Sequence, residues 1–275
     1  MGRKVFSALL AVLLLISGMS VSACAELDFT DLIDDLVQQQ AEEDKAAEND
    51  PERQVGAVLR LADMLAVIAS EKESEELAEL VEEHVRPVLK DEENPAIPKG
   101  EPDEQLANGL MICIDLLSVI AQEFDTEKHT FRKQIEDTVK SVEISYEPAF
   151  FPPQQTVSGL YGCVSLLGLI AAENSRGRED TEKMEAIITE LTETDERCET
   201  VEQQQVNGAL RCADLLALII QELDREEDSR LRDCVRILKA LRIGNEQAAD
   251  VSGQFTNALC RCFDLTAVIA YQLTT

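Results

Sequence analysis

The chain has 275 residues, enough for one or two domains with a sizeable core, and 45% of them are hydrophobic, which excludes a disordered polymer. Only 4% are aromatic and none is Trp, while Leu, Ala, Glu, Asp and Gln dominate, a composition that favours helix over sheet. A formal net charge of −29 excludes nucleic-acid binding through phosphates and docking on anionic lipid, both of which need basic groups.

The first segment reads as an export signal. Arg3 and Lys4 precede an apolar run, Val5–Ile16, and a region of small and polar residues, Ser17–Ala25. Ala23-Cys24-Ala25 suits cleavage before Glu26. Val21-Ser22-Ala23-Cys24 also resembles a bacterial lipobox, in which Cys24 would carry the lipid. Residues 26–275 enter helical pattern at once, without the tether expected after a lipidated cysteine, and this favours ordinary cleavage. Loss of residues 1–25 removes Arg3 and Lys4 and no acidic residue, so the net charge of the mature chain would move from −29 to −31. Such a protein would be extracellular or associated with the cell envelope.

Beyond the leader, one apolar stretch recurs five times, at Gln54–Ala69, Leu106–Ala121, Thr156–Ala171, Gln205–Ile220 and Phe255–Ala270. Aligned on Asp63, Asp115, Ser165, Asp214 and Asp264, the copies lie 52, 50, 49 and 50 residues apart. Two residues before the anchor stand Leu61, Cys113, Cys163, Cys212 and Cys262; six before it stand Ala57, Gly109, Gly159, Gly208 and Ala258; seven before it stand Gly56, Asn108, Ser158, Asn207 and Asn257. Each copy is too long for a strand and predicts a helix, at about 51–70, 102–124, 154–174, 201–223 and 250–273. The helical repeat angle puts the anchor and the residues three and seven before it on one narrow polar stripe. Arg60/Asp63, Arg211/Asp214 and Arg261/Asp264 fall on that stripe, as pairs expected to mark the side that faces water.

More polar helices are predicted between the apolar ones, at Asp28–Gln40, Ser74–Lys90, Thr126–Ile144, Thr181–Leu191 and Arg225–Ile243, the second with Pro87 as a kink. Asp50-Pro51 reads as a cap followed by a first-turn proline, Gly100-Glu101-Pro102 as a similar start, and Gly244 as a stop. The expected fold is therefore all-α: five helical hairpins of about 50 residues, stacked as an α-solenoid or closed as an α/α ring. The glycine column would let neighbouring backbones approach closely. Asp, and often Arg, in mid-helix argues against multiple membrane spans.

Chemistry is harder to find. No phosphate-binding loop, dinucleotide fingerprint, nucleophile elbow or zinc-protease motif occurs. No catalytic residue, cofactor or metal site is assigned. His84 and His129 lack a sequence-level partner. The four column cysteines share their position with Leu61 and read as small buried apolar residues rather than ligands. Cys198 and Cys234 lie outside the column, and a bridge between them stays open.

One place breaks the repeat. The third copy has Gly162 and Ser165 where three of the others have Arg and Asp, and its stripe reads Ser158, Gly162, Ser165. Tyr146, Phe150, Phe151 and Tyr161 gather around it. Either these aromatics fold over the core, or they edge a groove that binds a protein, a peptide or a small apolar ligand. A binding or scaffold protein is the reading this favours. The alternatives are an enzyme on a ring of hairpins, with two converging carboxylates in a deep pocket, and a structural envelope protein that self-associates and is sensitive to Gly159→Leu or Gly208→Leu.

Overall fold

A computed structural model describes residues 29–71, 100–124, 131–146, 151–175, 177–223 and 228–274. Among these residues there are nine helices and no strand: α1 (Phe29–Ala46), α2 (Asp50–Glu71), α3 (Pro102–Phe124), α4 (Arg132–Ser145), α5 (Pro152–Asn174), α6 (Arg178–Asp195), α7 (Val201–Leu223), α8 (Asp228–Gln247) and α9 (Val251–Thr274). The leader with Cys24, the segment 74–90 with His84 and Pro87, and His129 lie outside the described residues.

The apolar helices are α2, α3, α5, α7 and α9. Each packs on the next, and α9 returns to pack on α2, so the five form a closed cycle. The more polar helices lie outside: α1 against α2 and α9, α4 against α3 and α5, α6 against α5 and α7, α8 against α7 and α9. Of the two arrangements open to the sequence, the described helices adopt the ring.

The glycine column sets the spacing of that ring. A Cβ on Gly109 would lie 2.7 Å from Val58 Cγ1, one on Gly159 3.0 Å from Leu110 Cβ, and one on Gly208 2.9 Å from Leu160 Cβ. Each glycine thus meets the same register position of the preceding inner helix, which makes these helices parallel and in step. The thiol column repeats the register. Cys113 donates to the Val58 carbonyl at 3.9 Å, Cys212 to Leu160 at 3.7 Å and Cys262 to Ala209 at 3.4 Å. All four column cysteines are buried free thiols. Cys198 and Cys234 are free as well; Cys198 donates to Thr194 O, and Cys234 lies buried with its thiol toward Ala217 O.

Polar contacts close the seam between the last inner helix and the first. Gln54 Nε2 donates to Ser252 Oγ at 3.1 Å and to Thr256 Oγ1 at 3.0 Å. Farther along, Tyr271 donates its hydroxyl to Asp34, and Arg230 stacks 5.5 Å from the Tyr271 ring centre. Side chains also join the outer layer to the inner one: Asn207 Nδ2 donates to Leu191 O and Asn257 Nδ2 to Leu241 O, both at 2.9 Å. The asparagine column therefore ties the inner helices to backbone carbonyls of the outer ones, as an additional bond to a helical carbonyl.

Three local expectations are corrected. Asn49, not Asp50, caps α2: its Oδ1 accepts the Glu52 N–H at 3.0 Å, and Glu52 reaches back to the Glu48 N–H at 2.8 Å. Asp50 faces Arg53 instead. Gly244 does not stop its helix, since α8 continues to Gln247. Its missing side chain serves packing, because a Cβ there would lie 2.5 Å from Asn257 Oδ1. The Arg60/Asp63 pair does not mark a water-facing side. Arg60 is 6% and Asp63 0% exposed at the side chain, 2.5 Å apart under α1. The stripe faces the outer helices, where Arg60 meets Glu43 at 3.4 Å and Arg211 meets Glu190 at 2.6 Å.

Candidate functional site

Where the third copy loses its charged pair, the outer surface of the ring is indented. A groove of about 460 Å³ runs between α4 and α5. Ser158, Tyr161, Gly162 and Ser165 of α5 line it, facing Asp137, Thr138, Ser141, Val142 and Ser145 of α4.

Glycine at position 162 is the structural reason. A Cβ there would lie 2.6 Å from both Ile114 Cδ1 and Val142 Cγ2. Copies one and four hold arginine at this point, and its guanidinium reaches up to a glutamate of the outer helix. With glycine, α4 settles onto α5 through Val142, and no long side chain fills the space beside it. The buried face of α4 is narrow, with Ile135 and Val142 inside, so its hydroxyl row remains available to the groove.

The chemistry of the groove is hydroxylic. Ser145 donates to Val142 O at 2.6 Å and Ser165 to Tyr161 O at 3.0 Å. With their hydrogens turned to the backbone, these two oxygens present lone pairs outward. Asp137 adds a carboxylate. The lining thus leans toward hydrogen-bond acceptors and negative charge. Tyr161 forms one edge and is held there: its hydroxyl donates to Asp195 at the end of α6, whose carboxylate also accepts Gln204 Nε2 at 2.9 Å. Burial, with the Asp195 carboxylate as a second cause, pushes the Tyr161 phenol above its ordinary range, so it stays a neutral donor.

Four of the seven residues singled out from sequence therefore meet in one groove: Ser158, Tyr161, Gly162 and Ser165. Tyr146 does not join them. It turns into the seam between α3 and α5, donates to Ala107 O at 2.6 Å and packs against Gly159. Phe151 neither lines the groove nor covers the core, since it is 73% exposed just before α5. Phe150 lies outside the described residues. The α4 half of the lining, Asp137 to Ser145, escaped sequence reasoning. Its signal was a row of small hydroxyl residues, Thr138, Ser141 and Ser145, at three- and four-residue spacing on an otherwise charged helix.

A second polar cluster sits under α1. Arg60 Nη1 meets Asp63 at 2.5 Å and Gln39 Oε1 at 3.2 Å, while its Nε faces Glu43. Burial raises Asp63 to about 7; Arg60 opposes the rise and Glu43 adds to it. This carboxyl is sealed from solvent and belongs to the packing of α1 on the ring. Among the described residues, no three His, Cys, Asp or Glu side chains are arranged to hold a metal ion.

No family model, curated protein or solved structure matches the chain.

Proposed function

We propose that the protein is an exported, envelope-associated binding protein, a closed ring of five helical hairpins whose groove over α5 takes an extended peptide segment with a basic or neutral side-chain pattern. In this reading residues 1–25 are the removed leader, and Cys24 is lipidated only if cleavage follows the lipobox. The observation that carries the proposal is the acceptor-rich groove at the copy that has neither the Arg nor the Asp. A peptide backbone offers N–H donors along its length, which match the outward lone pairs of Ser145 and Ser165. Asp137, together with the strong negative charge of the chain, attracts a cationic partner and steers its approach.

The lining also ranks the other readings. A small apolar ligand would desolvate the hydroxyls without replacing their hydrogen bonds. An enzyme of the expected kind needs two carboxylates facing each other, and among the described residues that line the groove Asp137 is the one carboxylate. Gly159 and Gly208 are taken up by contacts inside the ring, so they do not offer a self-association surface. Two inner helices, α3 and α5, are long and apolar enough to cross a membrane, but most of each apolar window is buried against neighbouring helices. That favours a folded ring over an inserted one.

The test uses two synthetic octapeptides, one alternating Lys and Ser and one alternating Glu and Ser, titrated by calorimetry into the mature protein. The cationic peptide should bind, the anionic one should not, and Ser158→Trp should weaken binding about tenfold or more by filling the groove. Equal binding to the Ser158→Trp protein would assign the affinity to the acidic surface at large and refute the groove.

A further inference from the structure

Five helices in a cycle cannot all touch at its axis, and the side chains on the axis decide what fills the gap. Here they leave two stacked cavities of about 20 Å³ each. The upper one is lined by Cys113, Cys163, Cys212 and Cys262, with Leu61 at the same register position. The lower one reaches Phe124, Leu223 and Leu273 in the last turns of the inner helices. Both are bounded by one shared layer, Leu65, Leu117, Leu167, Leu216 and Thr266.

A cavity of this size holds one small molecule, since a water needs on the order of 10–15 Å³ and at least two polar partners. The partners are missing. Thr266 donates its hydroxyl to Cys262 O at 2.8 Å, and the walls of both cavities are apolar. The thiols of Cys113, Cys212 and Cys262 point at backbone carbonyls. Burial raises the column thiols above their ordinary pKa, so they remain neutral. Apolar cavities with such linings stay dry and take up apolar atoms.

The repeat shows that the upper cavity is not forced on the ring. Leu61 demonstrates that this layer accepts a leucine, yet the other four copies carry the smaller cysteine. We infer that the axis of the ring is a binding site for small, uncharged, apolar molecules of diatomic-gas size, one in each cavity. This site is separate from the groove over α5 and shares no lining residue with it.

Xenon is the probe. Crystals of the mature protein under xenon pressure should show one atom in each axial cavity. Cys212→Leu, which copies the residue already present at position 61, should lose the upper xenon and keep the lower. In solution, the methyl resonances of Leu167 and Leu216 should shift with dissolved xenon while those of exposed Leu231 do not, and this readout needs no variant. An axis free of xenon in the wild-type protein, ordered water in either cavity, or an upper xenon that persists in Cys212→Leu would overturn the inference.

Discussion

Gly208→Ala separates close packing from simple helix propensity, because propensity predicts a gain in stability and packing predicts none. Gly208 lies inside α7, where propensity alone predicts a gain of about 0.8–1 kcal/mol for alanine. The added Cβ, however, would sit 2.9 Å from Leu160 Cβ and 3.2 Å from the Tyr161 ring. The Leu160 atom is bonded directly to its own backbone and cannot swing away, so α7 must shift from α5. Overpacking of this kind costs about 1–3 kcal/mol, so after the propensity gain the net effect runs from near zero to a loss of about 2 kcal/mol. For a chain of this size the upper end of that range lowers Tm by roughly 4–8 °C. Ala258 provides the control: it occupies the same column, is fully buried and already carries its Cβ. Ala258→Gly should also lose about 1 kcal/mol, through helix propensity. Thermal unfolding followed by far-ultraviolet circular dichroism reads both variants. A higher Tm for Gly208→Ala would refute the close approach of α5 and α7.

Other consequences follow from the buried polar groups. Asp63 is raised to about 7 in the folded chain from an ordinary 3.8, so the folded state keeps a proton that the unfolded state releases between those values. Its contribution to stability therefore falls as pH rises through that window, by about 4 kcal/mol in full. Asp63→Asn should gain on the wild type by an amount of that order between about pH 4 and pH 8, and a constant difference in urea titrations across that range would contradict the assignment. Asn207→Leu removes the donor to Leu191 O and should cost about 0.5–1.5 kcal/mol in the same assay; no loss would show that α6 does not depend on this bond. The column thiols should resist alkylation in the folded protein and react only on unfolding, while partly exposed Cys198 reacts first, an order that mass spectrometry of timed samples checks.

Much of the architecture was legible because the fold repeats one solution. Four cysteines, three glycines and three asparagines recur in fixed columns, and the columns prove to be contacts made again around the ring: thiol to carbonyl, bare Cα to neighbouring Cβ, and, for Asn207 and Asn257, amide to an outer-helix carbonyl. The polar stripe was harder. Periodicity located it on one face of the inner helices but could not say what lay over that face. Water and an outer acidic helix both accept an arginine, and only packing buries Arg60 and Asp63 under α1. Gly244 misled for a related reason: a glycine near a helix end suits a stop and a close contact equally, and Asn257, thirteen residues on, makes it a contact.

The groove was half legible for the same cause. The break in the columns at Gly162 and Ser165 identified its α5 side, since a departure from a repeat is visible without a structure. The aromatics around it were weighed too heavily. Tyr146 is spent on Ala107 O and Phe151 stands in solvent, while the hydroxyls of α4 supply the other wall. Ser and Thr on an outer helix look like ordinary solvated positions until the facing helix is known.

Native mass spectrometry of the protein, recovered gently from the cells that make it, tests the central claim most directly. The account predicts one discrete added mass that fragments as a basic or neutral peptide and that is lost in Ser158→Trp. A bare chain in the wild-type protein, or an adduct retained unchanged in Ser158→Trp, would contradict the peptide-binding groove.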